Sequence, residues 1–145
     1  MLINLPPNLA PCFECVLPIR WGDMDVFGHV NNTNYFRYME SLRLHWFESI
    51  GLSAVPEAQG MVMMNAFCNF LRPLRYPGKV VARQFVGEIG RSAVDTYAIL
   101  ELQGEPGTTY ATGGATVVWC DFATGKSAPL PDALRARLEA LVSTA

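Results

Sequence analysis

Asp25 is the residue of this chain best placed to do chemistry, because of what surrounds it in residues 19–43, IRWGDMDVFGHVNNTNYFRYMESLR. Met24, Val26 and Phe27 beside it are apolar, and Gly28, His29, Asn31 and Asn32 follow closely. A carboxyl group in apolar surroundings suits a base or nucleophile working near neutral pH. The residues after it predict a helix that starts at this point. The free amides of a helix start carry the positive end of its dipole and can hold a developing oxyanion. A carboxylate facing those amides suits attack on a polarised carbonyl, with Asp25 as base or nucleophile and the Asn32 amide as the polarising donor.

Each of these residues also has a plainer role. Asp25 can cap a turn, and Asp23, just after Gly22, fits that role at least as well. Gly28 suits either a positive backbone angle or close approach to a ligand. His29, four residues after Asp25, could form an acid/base pair with it, but local hydrogen bonding that fixes the turn is the stronger reading. Asn31, Asn32 and Thr33 are good capping residues, and a cap still leaves other amides free. Glu40 and Arg43, three apart, are expected to pair on the helix surface. Arg72, Arg75, Arg83, Arg91 and Lys126 are scattered and read best as solvated surface charge. Ser92 lacks the context of an activated serine, and neither a phosphate-binding glycine loop nor a metal-ligand cluster stands out.

The elements that must position these side chains follow from periodicity. Phe13, Cys15, Leu17 and Ile19 alternate, which predicts a strand over residues 12–21. That alternation puts Cys12 and Cys15 on opposite faces, so the C-x-x-C reads as reduced structural cysteine, not as a zinc or redox pair. Residues 22–31 form a Gly- and Asn-rich connection. Tyr35, Met39, Leu42 and Trp46 then recur at helical spacing over residues 32–50, with Asn31 or Asn32 as N-cap and Gly51 as the stop. Such a helix is about 28 Å long. Phe36, Leu44, Phe47 and Ile50 widen its apolar face, so a sheet is expected to wrap it. Strands are predicted at residues 61–75, 80–89, around 94–102 and 108–122, in hairpin succession, with turns at 76–79, 90–92 and 105–107. A short helix follows at 131–142, with Leu134, Leu138 and Leu141 on one side and Asp132 in its first turn. The predicted class is α+β, an antiparallel sheet against one long helix, in a single domain over residues 1–145 that opens with an arm at 1–11.

Composition narrows the functions. The chain has 145 residues, half of them apolar but only 17% charged, which leaves apolar surface for burial in an oligomer. A net charge of −2 gives no global attraction to nucleic acid or anionic lipid. No apolar run is long enough to span a membrane, and the proline-broken start is a poor signal peptide, so a cytoplasmic location is expected.

The motif itself resembles the hot-dog-fold acyl-CoA thioesterases of the 4-hydroxybenzoyl-CoA thioesterase family. The matching residues are Asp25, Gly28, His29, Val30, Asn31, Asn32, Tyr35, Glu40 and Arg43. Residues 70–80, FLRPLRYPGKV, are similar to that family's second strand and turn. The resemblance implies a hot-dog fold, a five-stranded antiparallel sheet wrapped around a long central helix, with a short C-terminal helix after it. It implies a homodimer, or a tetramer made of two dimers, with active sites at the dimer interface. It implies hydrolysis of an acyl-CoA thioester to a carboxylic acid and free coenzyme A. By that resemblance Asp25 and Asn32 are the catalytic pair, and Gly28, His29, Asn31 and Tyr35 are substrate-binding. No metal and no cofactor beyond the coenzyme A of the substrate are expected. Two alternatives stay open, a non-catalytic acyl-CoA or lipid-binding module and an enoyl-CoA hydratase using Asp25 and His29. Tyr35, Phe36, Phe67 and Phe70 are possible pocket walls, and the acyl group, or an acyl-carrier-protein thioester in its place, is not specified.

Overall fold

The computed structural model of the chain describes residues 1–52 and 58–143, apart from the Ser143 side chain. The single-domain expectation extends over residues 53–57 and 144–145, which lie outside the described residues. The first strand, β1 (Pro11–Pro18), leads through a short 3₁₀ turn (Trp21–Asp23) into the long helix α1 (Asn32–Ser49). Then come β2 (Gln59–Phe70), β3 (Lys79–Ile89), β4 (Ala93–Leu102), β5 (Thr109–Asp121), the two-residue β6 (Lys126–Ser127) and helix α2 (Asp132–Ser143). The strands are antiparallel in the order β1-β3-β4-β5-β2, with β6 on β5. This is the expected hot-dog arrangement of sheet, central helix and short C-terminal helix.

α1 begins where the sequence expects. Asn31 is its N-cap, and its side-chain oxygen accepts from the Thr33 amide at 2.9 Å. At the other end Gly51 takes φ +89°, the left-handed stop that glycine allows. Tyr35, Tyr38, Met39, Leu42 and Trp46 form the buried stripe. Burial of side chains of this size is worth about 1.5–3 kcal/mol each. The helix crosses β5 at Gly113, where a Cβ would stand 2.6 Å from Met39 Sδ and 2.7 Å from the Phe67 carbonyl oxygen. Glycine is therefore required there for close packing. The core continues past Trp46 to α2, whose Leu134 and Leu138 pack with Val86, Val94 and Trp119.

Four expectations need correction. β2 stops at Phe70 instead of running to residue 75, and it does not form a hairpin with β3. It lies at the far edge on β5, while β3 joins β1. The eight residues 71–78 carry Pro73 and Pro77, which have no amide to donate to a ladder. This linker instead crosses the end of the sheet and meets the start of α1 through Tyr35. The sheet wraps α1 as expected, and Phe36 and Leu44 are left exposed on the helix. Glu40 pairs with Arg37 at 3.8 Å, not with Arg43. Arg43 Nε is buried without a hydrogen-bond partner, and burial pulls the Arg43 pKa down against the opposing charge of Glu40. Finally, Arg83 is not a solvated charge, because it bridges Glu14 and the buried Glu101, each at 2.9 Å.

The arm also does more than lead into β1. Ile3 exchanges two hydrogen bonds with the Asn69 side chain, at 3.1 and 2.7 Å. Asn69 points away from α1, on the same face as Gly114 and Thr112. A single cross-strand row, Pro11, Phe85, Tyr97, Gly114 and Phe67, runs over that face from edge to edge. The arm therefore starts beside the β2 edge, at Asn69 on the face turned away from α1, and ends at the β1 edge. Four strand spacings are about 19 Å, well within the reach of eight residues.

Candidate active site

The loop that carries Asp25 is a small hairpin. Met24 and Val30 bridge across it, the Asp25 amide donates to the His29 carbonyl at 2.9 Å, and the Gly28 amide donates to the Asp25 carbonyl at 3.1 Å. Gly28 takes φ +80°, and a Cβ there would meet nothing within 4 Å. Its glycine serves the turn, not close approach within the chain. One oxygen of Asp25, Oδ1, accepts from the Phe27 amide at 2.9 Å. Its other oxygen has no hydrogen-bond partner among the described residues. Asp25 is half-buried, but Val26 and Phe27 project outward, 92% and 82% exposed. Val26 and Phe27 thus supply no apolar wall to the carboxylate, while Met24 packs against the core.

The hairpin returns the backbone to the start of α1. The Asn31 amide donates to the Asp23 carbonyl at 2.9 Å, and Asn34 Nδ2 donates to the same oxygen at 2.9 Å. Asp23 takes the structural role, as its Oδ2 accepts from the Arg20 amide at 2.9 Å and from the Tyr38 hydroxyl at 2.7 Å. Burial, then the Asp23 carboxylate, push the Tyr38 pKa up. Asn31 is occupied by Thr33, whose amide and hydroxyl both bond to its Oδ1. Asn32 is the first helical residue, exposed, and its amide meets no acceptor among the described residues. It is therefore free to donate, and the helix dipole reinforces it.

His29, Asn32 and Tyr35 share a cleft of about 230 Å³ with Val30, Phe70, Leu71, Arg72 and Pro73. Asp25, Gly28 and Asn31 are not among its lining residues. The Tyr35 ring is 3% exposed, and its hydroxyl is fully engaged. It donates to the Arg72 carbonyl at 3.0 Å and accepts from the Leu74 amide at 2.9 Å. Only its ring face is left for a ligand. Of the other aromatic residues considered as walls, Phe70 lines the cleft and stacks edge-on with Tyr35 at 5.1 Å. Phe67 is on the back of the sheet with Gly114.

The His29 ring does not pair with the Asp25 side chain. Its Nε2 lies 2.8 Å from Arg75 Nη2. Sequence alone reads Arg75, 46 residues away, as plain surface charge, and no local pattern marks it as a partner of the loop. The linker holds the loop at further points, since the Val30 amide donates to the Leu74 carbonyl at 2.8 Å and the Tyr76 amide reaches Met24 Sδ at 3.4 Å. Among the described residues, no three His, Cys, Asp or Glu side chains gather to hold a metal ion. The four cysteines are unpaired, and burial pushes the Cys12 thiol up to about 11 and the Cys68 thiol up to about 12. No helix of the described residues is long and apolar enough to cross a membrane.

With this geometry in place, the sequence profile of a family described as the Thioesterase-like superfamily matches residues 19–138. That span takes in the Asp25 loop, all five long strands but the first, and most of both helices. The chain is similar in structure to the PA2801 protein of Pseudomonas aeruginosa, a protein with a provisional thioesterase assignment. The TM-score is 0.83 and the identity 37%, covering 90% of this chain and 99% of that one. It is also similar to a thioesterase of Thermus thermophilus crystallised with coenzyme A and zinc, with TM-score 0.77 and 28% identity over 92% and 96% of the two chains. A curated relative, the uncharacterized protein YsmA of Bacillus subtilis, is 25% identical over 79% of this chain and 76% of its own length.

Proposed function

The chain belongs to the thioesterase-like superfamily, and from that premise we propose that it hydrolyses an acyl-CoA thioester, with Asp25 and the Asn32 amide as its catalytic groups. The observation that carries the reading is a free acceptor and a free donor held by one short loop. Asp25 keeps one oxygen unbonded, and the Asn32 amide at the helix start has no acceptor among the described residues. The similar Thermus thermophilus thioesterase, crystallised with coenzyme A, supports coenzyme A as the thiol carrier.

In this mechanism the thioester carbonyl oxygen accepts from the Asn32 amide. Asp25 either takes a proton from water, so that hydroxide adds to the carbonyl, or adds to the carbonyl itself. The tetrahedral oxyanion is stabilised by the amide and the helix dipole. Collapse breaks the C–S bond, and the thiolate leaves as free coenzyme A once protonated. In the base route the proton returns from Asp25. In the nucleophile route water then cleaves the mixed anhydride and regenerates the carboxylate. Gly28 sets the turn, Asn31 caps the helix, and His29 and the Tyr35 ring line the cleft that receives the acyl end.

The working unit we propose is a homodimer, singly or paired into a tetramer, with its sites at the dimer interface. Three exposures support it. β2 is a twelve-residue edge strand with Val62, Met63 and Met64 open to solvent. Phe36 and Leu44 are exposed on α1. Val26 and Phe27 are open beside the carboxylate. Edge strands and apolar patches of this kind are normally covered.

The test is thiol release from aryl, short-chain and long-chain acyl-CoAs by wild type and Asp25→Asn. Turnover that falls at least about 100-fold in a folded variant supports the assignment. Retained turnover removes Asp25 from it. Ligand-induced thermal stabilisation with no turnover on any substrate would make the protein a binding module. Water addition to an enoyl-CoA with no thiol release would make it a hydratase, a reading the engagement of His29 by Arg75 argues against.

A further inference from the structure

The β2–β3 linker grips the catalytic loop, and one of its side chains dictates the state of the loop's histidine. A guanidinium can only donate hydrogen bonds. Arg75 Nη2 is 2.8 Å from His29 Nε2, so that ring nitrogen must accept. The ring proton therefore belongs on Nδ1. The His29 carbonyl accepts from the Asp25 amide, and the next amide, Val30, donates to the carbonyl of Leu74, the residue before Arg75. Residues 29 and 30 are thus held at two points by residues 74 and 75. The linker in turn is pinned to α1, because the Tyr35 hydroxyl bonds to both Arg72 and Leu74, and Leu74 is fully buried. None of the carboxylate ion pairs formed by arginines of this chain involves Arg75 among the described residues. Its bond to His29 is not incidental to a stronger salt bridge.

We propose that Arg75 is a positioning residue for the Asp25 loop, holding His29 in the tautomer protonated on Nδ1 and so fixing the hairpin that carries the carboxylate. The inference rests on the thioesterase reading of this site, and it adds a residue outside the motif that carries that reading. Arg75 itself needs no contact with the reacting atoms. Its effect passes through the His29 ring and the His29–Asp25 backbone bond. Small displacements of a reacting group are costly in rate, while substrate affinity, set by other contacts, is little changed.

Two measurements test it. The chain has two histidines, so nitrogen-15 spectra of the rings are simple, and His29→Gln assigns them. At neutral pH the wild-type His29 ring should show a bare Nε2 and a protonated Nδ1, and Arg75→Met should lose that pattern. On an acyl-CoA that wild type hydrolyses, Arg75→Met should lower kcat about 5- to 10-fold with KM within about 2-fold, and Arg75→Lys, which also donates, should recover most of the loss. A protonated Nε2 in wild type overturns the proposal. So does a raised KM with unchanged kcat, which would make Arg75 a substrate contact. If wild type releases thiol from no substrate, the thioesterase reading fails, and the ring spectra still decide the Arg75–His29 bond.

Discussion

Replacing Tyr35 by Phe tests whether the linker is tied to the helix by a single oxygen. That oxygen accepts from the Leu74 amide at 2.9 Å and donates to the Arg72 carbonyl at 3.0 Å. The Phe ring keeps the edge-on contact with Phe70 at 5.1 Å, so packing is preserved. The loss falls on the two backbone groups. Arg72 is exposed and its carbonyl can turn to water, but Leu74 is 0% exposed and its amide cannot. A buried donor left without a partner costs about 1–3 kcal/mol. Taking about 2 kcal/mol and a urea m-value of about 2 kcal/mol per molar, the midpoint should fall by about 1 M. Thermal melting should fall by roughly 6 °C for a chain of this length. Both comparisons need equal protein concentration, because the midpoint of an oligomer depends on it. Turnover should fall as well, since the same linker holds Val30 and His29. A Tyr35→Phe protein within about 0.3 kcal/mol of wild type, with unchanged kcat, would refute the reasoning, because the Leu74 amide would then have found another acceptor at no cost.

Two other outcomes follow from the packing and the thiols. Gly113→Ala should destabilise by about 1–3 kcal/mol in urea unfolding, because Met39 can move away from the new Cβ but the Phe67 carbonyl, 2.7 Å from it, cannot. An unchanged midpoint would mean that α1 lies higher on the sheet than described. Cys12, raised from 9.0 to about 11, has its thiolate population cut about 100-fold near neutral pH, and Cys68, raised to about 12, about 1,000-fold. Both should alkylate far more slowly in the folded than in the unfolded chain. The folded state favours the protonated thiols, so their contribution to stability is complete below pH 9 and is lost as pH rises towards 11 and 12. Equal alkylation rates, or stability that is flat across that window, would contradict the burial of these sulfurs.

Local chemistry was legible in the sequence wherever it was carried by spacing. The stripe Tyr35, Met39, Leu42 and Trp46, the Asn31 cap and the Gly51 stop are periodic or positional signals, and the structure keeps all of them. Tyr38 escaped because a tyrosine three residues after Tyr35 reads as the flank of the stripe, and its hydroxyl is made tolerable in the core only by Asp23. Strand order was not legible. Apolar residues continue from the 61–70 run into Leu71 and Leu74, so the paired stretch up to Phe70 reads on into a linker whose donors and acceptors go to Tyr35, Val30 and Tyr110. Pro73 and Pro77 were the available sign that a ladder could not continue.

The candidate site divides along the same line. Its residue types and the helix start that presents Asn32 follow from a contiguous motif, and so were readable. What surrounds them does not follow. The apolar residues next to Asp25 in sequence read as its walls, yet a hairpin of this tightness turns successive side chains outward. Val26 and Phe27 end in solvent. Burying a side chain of either kind is worth about 1.5–3 kcal/mol, a strong drive to cover this tip. The groups that reach the loop from within the chain come instead from residues 74–76, where Leu74, Arg75 and Tyr76 meet Val30, His29 and Met24. One side of the loop is therefore braced by its own chain and the other is open and apolar. A dimer formed along β2 would have to close that open side to give Asp25 the low-polarity setting that the proposed chemistry calls for.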